Sequence, residues 1–322
     1  MDKRERVRKV VRGESPDVTP AGFWYHFDES RHSGDAAVKA HLDFLEATDV
    51  DLLKIMNENL YRVDDRPIVS ADWTKMVSLP MSSPLHVRQR DVVTRVLDAV
   101  SGSAYTLATI HGIFASGFHA LGLSDDFFST DNPVEHHIRD DAGAVGKGLR
   151  AIGESLLELA SRCVDAGVDG IYYAALGGES YRSYTNAQFE TAIGATEKWL
   201  LGEMKKLNAD VFVHICKDRV DFSRYDAYPG DVFNWATHSN DLSLQEGHDL
   251  FGAPILGGFD DRSGTLVEGA SEDIEQETHR LIREHAGFPY LLGADCTLPT
   301  DLDTARIRTA VDTAHSQRRR TD

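Results

Sequence analysis

Cysteine is scarce in this sequence, with three residues among 322. Thiols so few and so widely spaced do not form the disulfide framework of a small secreted protein, so we expect them to be reduced and free to bind metal. Long apolar runs are also missing, since no stretch approaches the roughly 18 residues that cross a bilayer. The charged first 13 residues lack the apolar segment of a secretory signal. These absences predict a cytoplasmic protein that does not span a membrane.

Positive charge is in short supply as well. The chain has 34 Lys and Arg against 52 Asp and Glu, which gives a formal net charge of -18. Such a surface repels phosphate backbones and anionic lipid headgroups, so nucleic acid and membranes are poor partners. Hydrophobic residues make up 41% of the chain and charged residues 27%, a balance that is typical of a globular protein with a sizeable core.

Short β-branched and aromatic runs alternate with longer stretches of helical periodicity along the whole chain. This alternation is typical of β/α units around a parallel sheet. The helical stretches cover residues 36–47, 84–100, 144–166, 188–207, 242–250, 272–285 and 302–313. The eight predicted strands cover residues 19–25, 51–56, 105–110, 170–173, 210–215, 231–235, 254–259 and 289–293.

Eight such units predict a single (β/α)8 TIM barrel spanning residues 1–322 as one domain. A doubly wound open sheet also alternates strands and helices, but it usually has a glycine-rich phosphate loop after its first strand. Here that position reads Trp-Tyr-His-Phe. Val7, Val10 and Val11 recur at helical spacing and predict an N-terminal helical extension. The long segment 57–83 is a candidate flap or lid.

Polar and metal-ligating residues recur where the predicted strands end, which is the face on which barrel enzymes place their chemistry. A polar residue at a strand end is also ordinary loop chemistry, so this pattern is only a first filter. The residues that we predict to bind substrate at this face are Trp24, His26, Asn57, Glu58, His111, Tyr173 and Asp260.

The sharpest motif is Val-Phe-Val-His-Ile-Cys, which ends in His214 and Cys216. Residues two apart on a strand point to the same side, so these two side chains can share one ligand. Cys296 follows the last predicted strand, and closure of a barrel brings that strand end towards the same lumen. One imidazole and two thiolates with an open fourth position form a catalytic zinc pattern. A buried cysteine is more often a small hydrophobe, which is our interpretation of Cys163.

His238 and Asp218 are weaker candidates for the fourth position around this metal. Each lies in a polar loop, where a solvated side chain is the default.

Several motifs spread along the chain resemble the uroporphyrinogen decarboxylase superfamily. They are the leader Val-Val-Arg-Gly-Glu-Ser-Pro-Asp-Val-Thr-Pro, Gly-Val-Asp-Gly-Ile at 167–171, His-Ile-Cys at 214–216, Leu-Gly-Gly-Phe-Asp at 256–260 and Leu-Gly-Ala-Asp-Cys-Thr-Leu-Pro at 292–299. Members of this superfamily are α/β barrels. Within it, the His-x-Cys motif with a distant Cys resembles the zinc-dependent methyltransferases that act on coenzyme M with methylcobalamin or a methyl corrinoid protein.

The decarboxylase branch implies a different site, with arginines after the first strand and an Asp after the second. This sequence offers only Arg31 in the first loop, and its second strand ends Met-Asn-Glu-Asn. A tetrapyrrole with eight carboxylates needs stronger cationic complementarity than that.

The resemblance therefore implies a zinc-dependent methyltransferase that moves a methyl group from a corrinoid to a thiol, with His214, Cys216 and Cys296 as catalytic metal ligands. The alternatives are a metal-free carboxy-lyase of porphyrin biosynthesis and a noncatalytic binder. The sequence has no corrinoid-binding Asp-x-His-x-x-Gly motif. Methylcobalamin or another corrinoid would thus arrive free or on a corrinoid protein, and the sequence leaves the oligomeric state open.

Overall fold

A parallel sheet of seven strands forms the centre of the protein, as seen in a computed structural model that describes residues 1–124 and 132–317. Each strand pairs with the next one along the chain. The strands are β1 (Leu52–Ile55), β2 (Tyr105–His111), β3 (Gly170–Ala175), β4 (Asp210–Ile215), β5 (Val232–Trp235), β6 (Ile255–Phe259) and β7 (Tyr290–Ala294). The fold is α/β and of the TIM-barrel type, as predicted.

The segment predicted as the first of eight strands is not a regular strand. Ala21 and Gly22 form isolated parallel bridges to Leu292 in β7 and to Leu52 in β1. Gly22 N donates to Leu292 O over 2.9 Å, so the segment lies between the first and last strands of the sheet. Pro20 has no N–H to donate, which limits the ladder that this segment can form.

Helices follow the strands in the predicted alternation. They are α1 (Lys3–Val11), α2 (Gly34–Thr48), α3 (Pro84–Val100), α4 (Ile113–Ala120), α5 (Pro133–Ala166), α6 (Asn186–Phe189), α7 (Ala195–Met204), α8 (Leu244–Phe251), α9 (Thr265–Glu268), α10 (Ser271–Glu284) and α11 (Thr304–Ser316). A π-helical turn, Glu190–Gly194, joins α6 to α7. Short 3-10 turns lie at Glu29–Arg31, Ser70–Lys75, Phe222–Tyr225 and Thr237–Ser239.

Local sequence signals explain where several of these helices begin and end. Ser83 caps α3 and Pro84 occupies its first turn, where a missing N–H costs nothing. Gly167 ends α5 with φ 108°, a left-handed conformation that glycine adopts without strain. The helix α5 begins earlier than the predicted residue 144, and Asp141 interrupts it with non-helical φ and ψ.

Helix α1 covers the end of the sheet where the strands begin. Its Val7 and Val10 are buried. Arg4 binds Asp169 just before β3 at 2.6 Å, and Arg6 binds the fully buried Asp51 just before β1 at 2.6 Å. The opposite end, where the strands finish, is left for the cavity described below.

The segment 57–83, which the sequence marks as a candidate flap, is anchored by two buried aromatic rings, Tyr61 and Trp73. Trp73 is fully buried, and its indole N–H donates to His137 Nδ1 of α5 over 2.9 Å. Ile68 and Val77 of the same segment are exposed. In the described part of the chain, no helix is long and apolar enough to cross a membrane.

Candidate metal centre and its cavity

A cavity of about 300 Å³ opens at the carboxyl end of the sheet. Its wall is formed by side chains from the ends of β1 to β4, from α4 and from the segments around His26 and after β7. The polar residues of the wall are His26, Lys54, Glu58, Thr109, His111, His119, Ser124, Tyr172, His214, Cys216, Lys217, Cys296 and Thr297. The predicted metal ligands and three predicted substrate-binding residues therefore share one cavity.

His214, Cys216 and Cys296 meet as the sequence predicts. One donor atom from each residue lies within 4.8 Å of the other two. Cys296 Sγ lies 3.3 Å from His214 Nε2. One nitrogen and two sulfur donors so close together are the ligand class that zinc prefers, and three protein ligands leave a position for substrate.

The backbone after β4 and after β7 places Cys216 and Cys296 beside His214. Cys216 N donates to Ala175 O over 3.0 Å, which extends the pairing of β3 and β4 by one residue. The chain then turns at Lys217, whose φ is 88°. Before Cys296, the buried Asp295 accepts hydrogen bonds from Thr237 Oγ1 and His238 N at 2.9 and 2.8 Å.

Asn234 of β5 fixes both the orientation and the tautomer of His214. Its Nδ2 donates to Leu256 O and Ala294 O over 2.9 and 3.1 Å, so its Oδ1 must face the histidine. His214 Nδ1 donates to that oxygen over 2.6 Å, which leaves Nε2 with a free lone pair beside Cys296. Partners of this kind orient metal-binding imidazoles.

Tyr172 holds the other face of His214. The two rings stack with centroids 5.6 Å apart, and the Tyr172 hydroxyl donates to Asn234 Oδ1 over 3.1 Å. The imidazole therefore has little freedom to rotate away from the two thiols.

The two thiols have opposite pKa shifts. A hydrogen bond from Cys216 lowers the pKa of Cys296 and outweighs the opposite effect of burial. The same hydrogen bond and burial raise the pKa of Cys216. Cys296 is thus the sulfur that carries negative charge first, which a metal cation would exploit.

Lys54 is a functional candidate that the sequence analysis missed. Its ammonium lies 4.2 Å from the ring centre of Tyr172 and 4.9 Å from that of Trp24, a cation–π arrangement inside the lumen. Burial lowers its pKa to about 8, although Cys296 and Glu58 oppose that shift. The signal was a lysine within the otherwise apolar run Leu-Leu-Lys-Ile.

His26 and Glu58 form a pair on the cavity wall. His26 Nδ1 lies 2.8 Å from Glu58 Oε1 and 3.1 Å from Oε2. Burial raises the pKa of Glu58, but His26 outweighs that effect and the net pKa is lowered, so the carboxylate is ionised at neutral pH. His111 lies nearby, and burial lowers its pKa to about 4.

The other predicted substrate-binding residues do not line the cavity. Trp24 packs behind Lys54 with its ring 5.0 Å from Tyr172. Asn57 donates to Thr109 O, and Asp260 accepts from Arg262 N.

Tyr173 is also placed away from the lumen. Its hydroxyl donates to the buried Glu197 over 2.7 Å and accepts from Ile113 N over 3.0 Å. Its neighbour Tyr172 faces the cavity instead, because successive side chains on a strand point to opposite faces.

The two candidates for a fourth ligand lie outside the group of donors. His238 Nδ1 is engaged with Asp295 Oδ2 at 3.0 Å, and Asp218 pairs with Arg219 at 3.3 Å. Asp261, which the sequence analysis passed over, has a pKa raised to about 6 by burial and then by nearby Cys296. Cys163 is fully buried within α5, where we predicted a packing role.

Comparison with known proteins identifies the family of this chain. The model of uroporphyrinogen decarboxylase (URO-D) matches residues 134–317, more than half of the chain. The chain belongs to the uroporphyrinogen decarboxylase family. A search of curated proteins found no match.

Two solved structures resemble this member of the uroporphyrinogen decarboxylase family over nearly its whole length. A methyltransferase from Methanosarcina mazei has a TM-score of 0.76 at 12% identity, over 98% of this chain and 99% of that chain. A B12-independent methionine synthase from Shewanella sp. W3-18-1, in complex with selenomethionine, has a TM-score of 0.60 at 11% identity, over 93% and 97%. At identities this low, the structural likeness establishes a shared fold and no more.

Proposed function

We propose that this protein is a zinc-dependent methyltransferase that moves a methyl group from a corrinoid, free or on a partner protein, to a small thiol. The observation that carries the proposal is the convergence of His214, Cys216 and Cys296 on the wall of one cavity. The fold shared with two enzymes of methyl transfer supports the same reaction class.

The donor set fits zinc, with Cys216, Cys296 and His214 Nε2 as ligands and Asn234 as the partner of His214 Nδ1. Zinc held there would lower the pKa of a substrate thiol well below its usual value of about 8.5, so that the thiol reacts as the nucleophilic thiolate. A thiolate needs an activated methyl group, such as one on cobalt. The lysine on the wall, Lys54, supplies positive charge towards the incoming sulfur.

Uroporphyrinogen decarboxylation has weaker support from the same cavity. A volume of about 300 Å³ is at the small end of ligand pockets and suits a small thiol better than a tetrapyrrole. Among the described residues that line it, the cationic side chains are Lys54 and Lys217, without an arginine. Eight carboxylates would call for more.

Metal analysis followed by methyl-transfer assays tests the proposed function. We expect about one zinc per chain and transfer of methyl from methylcobalamin to at least one member of a panel of small thiols. A folded protein without bound zinc would contradict the proposal. Conversion of uroporphyrinogen III to coproporphyrinogen would establish the decarboxylase instead, and ligand binding without turnover in either assay would indicate a noncatalytic binder.

Replacing Lys54 with methionine should weaken thiol binding selectively. A buried ammonium near a thiolate contributes roughly 1–3 kcal/mol, so we expect the Kd of the zinc-loaded protein for 2-mercaptoethanol to rise about tenfold or more at pH 7. At that pH the lysine is charged, because its pKa is about 8. Isothermal titration calorimetry measures the change.

The matched control for Lys54→Met is the methylated ligand, 2-(methylthio)ethanol. This thioether carries no charge on sulfur, so its affinity should be the same for both proteins. An equal loss of affinity for thiol and thioether would show that Lys54 acts through packing alone.

A further inference from the structure

The paired His26 and Glu58 side chains stand apart from the metal ligands but border the same cavity. His26 follows the segment that lies between β7 and β1, and Glu58 follows β1. Glu58 is largely buried, with 12% of its side chain exposed, whereas His26 is about half exposed at 49%. A buried carboxylate that orients a half-exposed imidazole is the arrangement of a proton-transfer dyad.

We propose that His26, oriented by Glu58, is the general base that removes the proton of the acceptor thiol. This inference rests on the proposed function. The Glu58 carboxylate can only accept, so the shared hydrogen is carried by His26 Nδ1, and Nε2 is the ring nitrogen that this hydrogen bond leaves available for a proton.

The step balances in atoms and electrons. The sulfur–hydrogen bond breaks, its electron pair stays on sulfur, and the proton forms an N–H bond at His26 Nε2. The thiolate then forms a sulfur–carbon bond, while the carbon–cobalt bond of the corrinoid breaks and leaves both electrons on cobalt. After methyl transfer, the proton on His26 passes to water, because the imidazole is half exposed.

The other basic side chains around the cavity are poorer proton acceptors. Burial lowers the pKa of His111 to about 4 and that of His119 to about 3, so both resist protonation at neutral pH. Lys54 is largely protonated below about pH 8. His214 already donates through Nδ1 and offers Nε2 to the metal position.

Transfer of the proton to His26 leaves the net charge of the cavity unchanged when the thiol binds. The transfer therefore needs no added compensation from the charged side chains that line the cavity, Lys54, Lys217 and Glu58. His32 also acts electrostatically on Glu58, but its Nε2 is bound to Phe27 O at 2.7 Å and it does not line the cavity.

Proton release during thiol binding tests the dyad directly. Zinc-loaded protein is titrated with 2-mercaptoethanol at pH 7 in two buffers of different ionisation enthalpy, which gives the number of protons that reach the buffer. We expect clearly less than one proton from the wild type and about one from His26→Gln, since the variant has no internal acceptor. Glu58→Gln should also release more than the wild type, and His32→Gln, a matched change in the same loop, should behave like the wild type.

Methyl-transfer rates give a second readout. A general base contributes typically 10²- to 10⁴-fold, so His26→Gln should lose roughly 100-fold at pH 7 and recover much of that loss at pH 9, where hydroxide can take the thiol proton in place of the imidazole. Equal proton release from the wild type and His26→Gln would overturn the dyad and leave the proposed function intact. Zinc-loaded wild type that binds no thiol would overturn both.

Discussion

Replacing Cys296 with serine is expected to reduce zinc affinity by more than about 100-fold. Loss of the hydrogen-bonded neighbours of a metal ligand typically costs 10- to 100-fold, and loss of the ligand itself should exceed that. Cys296 Sγ lies 3.3 Å from His214 Nε2, and its pKa is the lower of the two thiols, so it loses its proton to a metal more readily than Cys216 does. Competition with a chelator at pH 7 measures the affinity, and methyl transfer should fall with it.

The control for this experiment is Cys163→Ala. Cys163 is fully buried in α5, and burial raises its pKa to about 12, so it is an inert thiol far from ionisation. This variant should keep one zinc and wild-type affinity, apart from some loss of stability from the small cavity. Stoichiometric zinc at unchanged affinity in Cys296→Ser would show that Cys296 is not a ligand.

The convergence of His214, Cys216 and Cys296 could be predicted from two features of the sequence. His214 and Cys216 are two residues apart on and just after a strand, and a strand places such residues on one side. Cys296 follows β7 by two residues, and the parallel sheet brings all strand ends to one face. The approach of Cys296 to His214 at the end of β4 follows, because these strands all finish at one end of the sheet.

The sequence could not predict which side chains of a fully buried strand face the lumen. Strand β3 reads Gly-Ile-Tyr-Tyr-Ala-Ala and is covered on both faces, so no polar alternation indicates which tyrosine faces the lumen. We expected Tyr173 there, whereas Tyr172 lines the cavity and Tyr173 binds Glu197. Lys54 was missed for the same reason. All four residues of β1 are buried, so the sequence pattern does not show which of them face the cavity.

Residues that contact a candidate metal ligand without being ligands themselves were harder still to predict. Nothing in Val-Phe-Asn-Trp indicates that the Asn234 amide bridges two backbone carbonyls and a histidine ring, because those partners come from β4, β6 and β7. Asn234 lies in the predicted strand 231–235, where a single asparagine indicates no particular role. Its importance follows from the three-dimensional contacts, which also make it the site of the most informative conservative substitutions.

Asn234→Leu is expected to lower zinc affinity by 10- to 100-fold while His214, Cys216 and Cys296 remain in place. Without the acceptor at 2.6 Å, His214 Nδ1 loses the partner that fixes its tautomer and its ring orientation. The zinc affinity is measured by chelator competition, and near-unity stoichiometry at high zinc would show that the three ligands still assemble.

Two companion variants separate this effect from a general loss of structure. Asn234→Asp keeps an acceptor for His214 Nδ1 but loses the donors to Leu256 O and Ala294 O, so it should retain zinc affinity within about a factor of ten and lose folding stability. Tyr172→Phe removes only the second hydrogen bond to Asn234 Oδ1 and should leave zinc affinity nearly unchanged. If the leucine and aspartate variants bind zinc equally well, the hydrogen bond to Nδ1 does not orient the metal ligand.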